Sequence, residues 1–399
     1  LLCLISALFL VLSWPPSGFP LLIFSAFVPL FFVVKDLQKK RFAFVYSFLV
    51  FALWNSFTTY WIYYASLFGV VAAVCVNSFL MAGVITLFLW LKSKFNDRRS
   101  WWALISIWLS FEYLHLNWDL SWPWLTLGNV FAHYPEFIQW YEYTGTLGGS
   151  LWILLVNIIV YHSIKNKSKY VLSLTVVGLP ILFSFLINTK NETGKVVEIV
   201  VVQPNIDPYF EKFTDLTSMQ QLEKFIELAE SKLNSSTNYL IGPETAIVDG
   251  VWENKIENST EIKRLLELIE NYPQLNIIVG AVTYKAYSKS DKIPKTARQF
   301  VGSDDYYDVF NSAIQINTSE ISVYNKSKLV QGVEFTPFPA FLENFEFLAI
   351  DLGGITGSLG TQDYREVFES NSAKIAPIIC YESIFGEFIS QYVRNGADL

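Results

Sequence analysis

Histidine is scarce and unevenly placed: His115, His133 and His162 are the only three, and all precede residue 190. The second half, 190–399, therefore has none, which excludes a cysteine–histidine catalytic pair there and a zinc site built on histidine and cysteine. No cofactor or metal is expected. Cysteine is equally sparse, because Cys3 and Cys75 lie in apolar runs and Cys380 stands alone in the second half. Basic charge is short there too. Of the chain's 29 Lys/Arg and 36 Asp/Glu, residues 1–189 hold 11 and 6, leaving 18 basic against 30 acidic residues for 190–399. A half that is net acidic by 12 has no basic face for phosphate neutralisation, which excludes nucleic acid as a partner. Internal repeats and low-complexity linkers are absent.

What fills residues 1–189 is apolar sequence rich in Phe, Trp and Leu. A span needs ~20 apolar residues, and seven candidates lie near 1–14, 18–34, 42–64, 68–91, 100–117, 145–164 and 170–188. The first run, Leu1 to Trp14, lacks the basic segment and small-residue cleavage site of a signal peptide, so it reads as a transmembrane helix clipped at its start. Trp14-Pro15-Pro16-Ser17-Gly18 punctuates the first two spans, since Pro removes a donor and Gly permits unusual dihedrals. One set of connections carries Lys35, Lys39, Lys40 and Arg41, then Lys92, Lys94, Arg98 and Arg99, then Lys165, Lys167 and Lys169. The alternate connections, Trp14–Gly18, Ala65–Phe68 and Asn117–Ser150, carry no Lys or Arg. With basic loops in the cytoplasm, the second half emerges on the outer side of the membrane. Two readings stay open for the aromatic loop Ser121-Trp122-Pro123-Trp124: an interfacial belt, or a lipid-facing entrance to an active site. Glu112 within the fifth span is either functional or snorkels to the nearby interface.

Residues 190–399 alternate between strand and helix signals, the pattern of an α/β sandwich. Strands are expected at 196–203, 239–242, 275–284, 307–317, 320–325 and 374–380. A stripe of Leu216, Met219, Leu222, Ile226, Ala229 and Leu233 predicts one helix, Asn258 with Glu261 caps another over 259–271, and 384–395 reads as a third.

Cys380 ends the apolar run Ile375-Ala376-Pro377-Ile378-Ile379, a position equally suited to a buried structural thiol and to a nucleophile. As a nucleophile it needs a carboxylate base and a Lys or Arg as electrostatic partner. Glu244, in Pro243-Glu244-Thr245 at a strand end, and the lysines of Tyr324-Asn325-Lys326-Ser327-Lys328 are candidates, although each alone is more often a solvated charge.

Taken in order, Glu at a strand end, Tyr-x-Lys, then Cys-Tyr-Glu resembles the Glu–Lys–Cys arrangement of the nitrilase superfamily. Joined to an N-terminal membrane bundle, the chain is similar over nearly its whole length to the apolipoprotein N-acyltransferases of bacterial inner membranes. Pro243-Glu244-Thr245-Ala246 matches that family's Pro-Glu-Thr-Ala pattern, Lys326 its catalytic lysine, Glu334 its supporting glutamate, and Cys380-Tyr381-Glu382 its nucleophile segment. Ser121-Trp122-Pro123-Trp124 and Gly128 also look familial. Gln331-Gly332-Val333-Glu334 departs from the usual Pro-Phe-Gly-Glu, leaving that loop's conformation open. The family continues beyond the point matching Leu399 through further strands, helices and a last span, so a C-terminally incomplete domain is expected.

The resemblance implies a polytopic α-helical membrane bundle over 1–189 and a nitrilase-like α-β-β-α sandwich over 190–399, in the inner membrane with the sandwich on the periplasmic side. It implies that Glu244, Lys326 and Cys380 are catalytic, supported by Glu334, Tyr381 and Glu382. Lys326 would stabilise a Cys380 thiolate while Glu244 takes the proton. Glu334 and Glu382 would hold Lys326 or shape a loop, unless they form ordinary surface ion pairs. The implied partners are a phospholipid acyl donor and a diacylglyceryl apolipoprotein acceptor. A membrane-tethered carbon–nitrogen hydrolase with the same three groups is the alternative. A transporter is disfavoured by the sparse charge within the spans.

Overall fold

The computed structural model describes residues 1–35, 37, 39–187, 196–207, 211–212, 216–338 and 358–399. The chain divides into two compact units, Leu1–Asn191 and Glu192–Leu399.

The first unit is helical: α1 (Leu2–Ser13), α2 (Ile23–Ala26), α3 (Val28–Lys35), α4 (Lys40–Thr58), α5 (Leu67–Lys92), α6 (Asp97–Leu116), α7 (Tyr141–Asn166) and α8 (Tyr170–Leu186). Each apolar segment of the sequence forms helix. Among the described residues, only α5 and α7 are both long and apolar enough to cross a membrane, so the coordinates establish a helical unit and not seven crossings. The second segment is broken into a 3-10 turn and two short helices. Asn157 bridges the break, accepting from the Phe27 N–H at 2.9 Å and donating to the Ile23 carbonyl at 2.8 Å, so backbone groups lost to the ladder are not left unpaired.

The three basic clusters gather at one end of this unit. The Lys35 ammonium lies 5.8 Å over the Tyr161 ring and that of Lys92 5.0 Å over Trp101, while Trp101 packs 5.3 Å from Tyr161. Asp97 sits 3.4 Å from Lys92 and 3.8 Å from His162, tying the ends of α5, α6 and α7 together. Glu112 does not snorkel. Only 3% exposed, it accepts at Oε1 from the Trp108 indole and the Leu127 N–H, both at 2.9 Å, and so pins the aromatic loop to α6.

Among the described residues, the second unit is built on one mixed sheet of seven strands: β1 (Ile199–Val201), β2 (Tyr239–Ile241), β3 (Ile247–Trp252), β4 (Asn276–Tyr287), β5 (Arg298–Gln299), β6 (Tyr306–Ile316) and β7 (Ile321–Asn325). Helices α9 (Ser218–Glu230) and α10 (Thr260–Asn271) cover one face, and α11 (Gly386–Arg394) follows the nucleophile segment. Leu222, Phe225 and Ile226 of α9 and Leu265, Leu268 and Ile269 of α10 pack with Leu240, Ile277, Val279, Ile314 and Ile316 of the sheet. Each such side chain contributes ~1.5–3 kcal/mol when fully buried.

Two expectations need correction, and one strand had no sequence signal. The cap of α10 is Ser259, not Asn258: its hydroxyl accepts from the Ile262 N–H and donates to Glu261, one residue later than the sequence pattern suggests. Residues 374–380 form no strand; a single bridge pairs Ile375 with Phe368, and Pro377 has no N–H with which to continue a ladder. Strand β3 was not foreseen, because Asp249-Gly250 interrupts its apolar alternation.

The long central strands carry shorter ones end to end. Along β4, β2 pairs at Asn276–Ile278 and β3 resumes at Ala281–Tyr284, leaving a break occupied by Pro243-Glu244-Thr245. Along β6, β7 pairs at Ser312–Ile316 and β5 at Tyr306–Tyr307, leaving a second break where Lys326 emerges. Asn311 of β6 lies beside that second break, and its carbonyl accepts from the Lys326 N–H at 2.8 Å. Ile314 and Ile316 face the helix-covered core, so the two-residue alternation turns Asn311 to the other face.

Candidate active site

Glu244 reaches the open face because β4 has no side chain beneath its turn. A Cβ on Gly280 would lie 2.4 Å from the Thr245 nitrogen and 2.6 Å from the Glu244 Cα, and the Gly280 N–H donates to the Pro243 carbonyl at 3.1 Å. The turn also needs Thr245 at φ 49°, an uncommon conformation for a β-branched residue. Lys212 holds it there: its ammonium donates to the Glu244 carbonyl at 3.0 Å and to the Thr245 hydroxyl. Gln221, buried on α9, anchors Lys212 in turn by donating to its carbonyl at 2.7 Å.

Lys326 is 1% exposed, and a buried ammonium demands compensating charge. It has two carboxylates, Glu244 Oε1 at 3.0 Å and Glu334 Oε1 at 2.8 Å. The Asn311 amide donates to the same two oxygens, at 2.6 and 2.8 Å. Glu334 is fixed further by the Val330 N–H on Oε2 at 2.7 Å. The loop that the Gln331-Gly332-Val333-Glu334 departure left open is a tight turn. Gly332 adopts φ 75°, which favours glycine, and its N–H donates to the Phe335 carbonyl at 2.8 Å.

Cys380 begins a 3-10 turn, Cys380–Ile384, with φ 47°, and is exposed. Such a strained position at the start of a turn projects a side chain out of the backbone path. Its sulfur lies near enough to the Glu244 carboxylate and the Lys326 ammonium for their charges to act on it.

The electrostatics of the three groups oppose one another. Partial burial, then the Glu244 carboxylate, push the Cys380 thiol above its ordinary value, and the pull of Lys326 does not outweigh them. Burial works against the Glu244 charge, yet the Lys326 ammonium and the hydrogen bonds from Asn311 and Lys326 hold its carboxyl below the usual range. Burial likewise opposes the Lys326 charge, but Glu334 and Glu244 raise it overall. A raised thiol beside a depressed carboxyl favours the proton on sulfur and the charge on Glu244.

Glu382 and Tyr381 have structural places. Glu382 is wholly buried and does not hold Lys326 directly. Its Oε1 accepts from the Tyr324 hydroxyl at 2.8 Å, the Ser327 N–H at 2.7 Å and the Lys328 N–H at 3.2 Å, and its Oε2 from the Ile379 N–H at 2.9 Å. One carboxylate thus ties the backbone after Lys326 to the backbone before Cys380. Burial raises its carboxyl's pKa against those four hydrogen bonds. Tyr381 is buried, packs edge-on against Phe385 at 5.1 Å, and its hydroxyl accepts from Gln331 at 3.4 Å.

Glu244, Lys326 and Glu334 thus share one network with Asn311, while Glu382 and Tyr381 bond to the segments that flank Lys326 and Cys380. Asn311 and Lys212 were missed. A lone Asn in a strand and a lone Lys in a loop carry no sequence signal, and only the register of β6 against β7 exposes the first.

Residues 199–399 match the carbon-nitrogen hydrolase family, half of the chain. The chain belongs to that family. Residues 6–159 match the apolipoprotein N-acyltransferase N-terminal domain, and the two together place this carbon-nitrogen hydrolase on the apolipoprotein N-acyltransferase branch. It is 26% identical to an apolipoprotein N-acyltransferase of Chlorobaculum tepidum over 99% of this chain and 76% of that protein. Apolipoprotein N-acyltransferase 1 of Treponema denticola is 22% identical over 100% and 77% of the two chains. Borreliella burgdorferi has a third such relative, 23% identical over 96% and 72%.

Proposed function

We propose that the protein is a lipoprotein N-acyltransferase in which Glu244, Lys326 and Cys380 move an acyl chain from a phospholipid to the N-terminal amine of a diacylglyceryl-cysteine lipoprotein. The observation that carries this reading is the Lys326 ammonium, buried between Glu244 and Glu334 and next to the one thiol of the hydrolase-family unit.

The steps follow from the protonation pattern. Glu244 takes the thiol proton as sulfur attacks the ester carbonyl, which forms the S–C bond. Two of the Lys326 N–H bonds are held by Glu244 and Glu334, and the third, with a backbone N–H, stabilises the oxyanion. The ester C–O bond then breaks, Glu244 returns the proton to the lysophospholipid, and an acyl-thioester remains. The lipoprotein amine attacks it next, forming the N–C bond as the C–S bond breaks, and Glu244 removes the amine proton and returns it to the Cys380 sulfur. Glu334 fixes the ammonium, while Tyr381 and Glu382 position the nucleophile turn.

We further read residues 1–189 as a multi-pass membrane domain of the bacterial inner membrane and 190–399 as a periplasmic catalytic domain of α-β-β-α type. The gathering of Lys35, Lys92 and their basic neighbours at one end of the helical unit supports a cytoplasmic end by the positive-inside rule. Both substrates carry acyl chains whose burial is worth ~0.8 kcal/mol per CH₂, so a catalyst carried on a membrane unit avoids extracting them into water.

The test is to supply detergent-solubilised protein with phospholipid and a diacylglyceryl-cysteine peptide and to weigh the products. An N-acylated peptide is expected. Free fatty acid with unmodified peptide would point to a hydrolase, and no turnover to a binding protein.

A further inference from the structure

One uncharged side chain sits among the charges of this site, and its orientation is unusual. Both hydrogens of the Asn311 amide go to carboxylates, Glu244 Oε1 at 2.6 Å and Glu334 Oε1 at 2.8 Å. Its Oδ1 is buried with no hydrogen-bond partner in the structure described. The orientation is not a matter of choice, because reversing the amide would aim its oxygen at two carboxylates. A polar residue placed only to fill a core satisfies both ends of its amide. Here the acceptor end is given up so that both donors meet the oxygens that Lys326 also holds.

The charges explain the need. Glu244 and Glu334 both bring a negative charge to the Lys326 ammonium, and Lys212 donates to the Glu244 carbonyl and the Thr245 hydroxyl. A second cation at the position of Asn311 would compete with Lys326 for both carboxylates. An apolar residue would leave like charges to the ammonium alone and draw it toward them. A neutral double donor avoids both outcomes.

We propose that Asn311 is a positioning residue for acyl transfer: it holds Glu244 and Glu334 on either side of Lys326 and so keeps the third ammonium hydrogen for the Cys380 sulfur and the oxyanion. This rests on the reading of Cys380 as nucleophile and Glu244 as base.

The experiment measures iodoacetamide alkylation of Cys380 against pH, alongside Cys380 acylation by phospholipid, in the full chain for Asn311→Asp and Asn311→Ala. Asn311→Asp keeps the shape and adds a carboxylate facing Glu244, Glu334, Lys326 and Cys380. It is expected to move the alkylation midpoint up by about one pH unit or more, an approximately tenfold slower reaction at neutral pH. Asn311→Ala, which adds no charge, is expected to slow acylation about tenfold or more in protein that still folds, measured well below its melting transition. In Asn311→Ala, where no charge is added, a purely structural residue would lower melting and leave both the alkylation midpoint and the acylation rate well below the transition where they were. An unchanged midpoint in folded Asn311→Asp overturns the proposal, and so does wild-type acylation in Asn311→Ala should the Asp variant not fold. Failure of the underlying reading is distinguishable, since Cys380→Ala would then retain acyl transfer whatever residue 311 is.

Discussion

Glu382 permits a quantitative test that leaves every reacting group in place. Replacing it by Gln preserves shape and, with the amide oxygen turned toward Tyr324, Ser327 and Lys328, preserves three of the four accepted hydrogen bonds. The amide nitrogen then faces the Ile379 N–H, which loses its 2.9 Å acceptor and meets another donor. A buried N–H left unsatisfied costs about 1–3 kcal/mol. For a unit of roughly 200 residues, each kcal/mol lowers the melting temperature by about 2–4 °C, so Glu382→Gln should melt about 2–12 °C lower. Glu382→Ala strands three backbone donors and should cost on the order of 5 kcal/mol, enough to unfold a marginal domain. The discriminating measurement is acylation well below the melting transition. The link between the Lys326 and Cys380 backbones is loosened at the cysteine end, so Glu382→Gln should acylate Cys380 more slowly with its thiol still alkylated by iodoacetamide. Wild-type melting and wild-type acylation together would refute the role assigned to this carboxylate.

Gly280→Ala should be among the most damaging small substitutions in the unit, since its Cβ meets backbone atoms 2.4–2.7 Å away that cannot move without shifting Glu244; a loss of about 1–3 kcal/mol, read by denaturant unfolding, should come with lost acylation. Because the Glu244 carboxyl is depressed below 4.5, it stays ionised as pH falls through that value, and the acid limb of the acylation rate should lie lower still. The stabilisation from its pairing with Lys326 is present above 4.5 and is lost only as pH falls through the depressed value. On the alkaline side it fades as pH rises through the raised Lys326 value, beyond 10.5. Cys380 in the wild type should alkylate with a midpoint above 9.0, and Glu244→Gln, which removes the neighbouring negative charge, should bring that midpoint down. Lys212→Met should release the Thr245 turn and slow acylation, because the ammonium that holds the Glu244 carbonyl is gone.

The site was legible to the extent that its chemistry is carried by short, ordered motifs. Glu244, Lys326, Glu334 and Cys380 could be named because a carboxylate after a strand, a Tyr-x-Lys segment and a Cys-Tyr-Glu segment recur together. What they do to one another's protons could not be named, because the outcome at Cys380 depends on how far burial and Glu244 outweigh Lys326. Asn311 was invisible for a related reason: its role exists only where β7 ends beside it. Periodicity found α9, whose stripe is clean, and found β4, β6 and β7 to within a few residues. It failed at 374–380, where apolar residues pack in an extended segment that Pro377 keeps out of any ladder. In the helical unit, apolar runs announced the helices, yet only tertiary contact showed that Glu112 turns inward to hold a loop.

The central claim is that Cys380, with Glu244 and Lys326, takes up an acyl group. The direct measurement is the mass of the Cys380 peptide after the protein is incubated with phospholipid and no acceptor. An added acyl mass on that peptide, lost in Cys380→Ala and Lys326→Met and kept in Cys75→Ala, is the predicted result. An unmodified Cys380 peptide from folded protein, or an acyl group found on Cys75 instead, would contradict it.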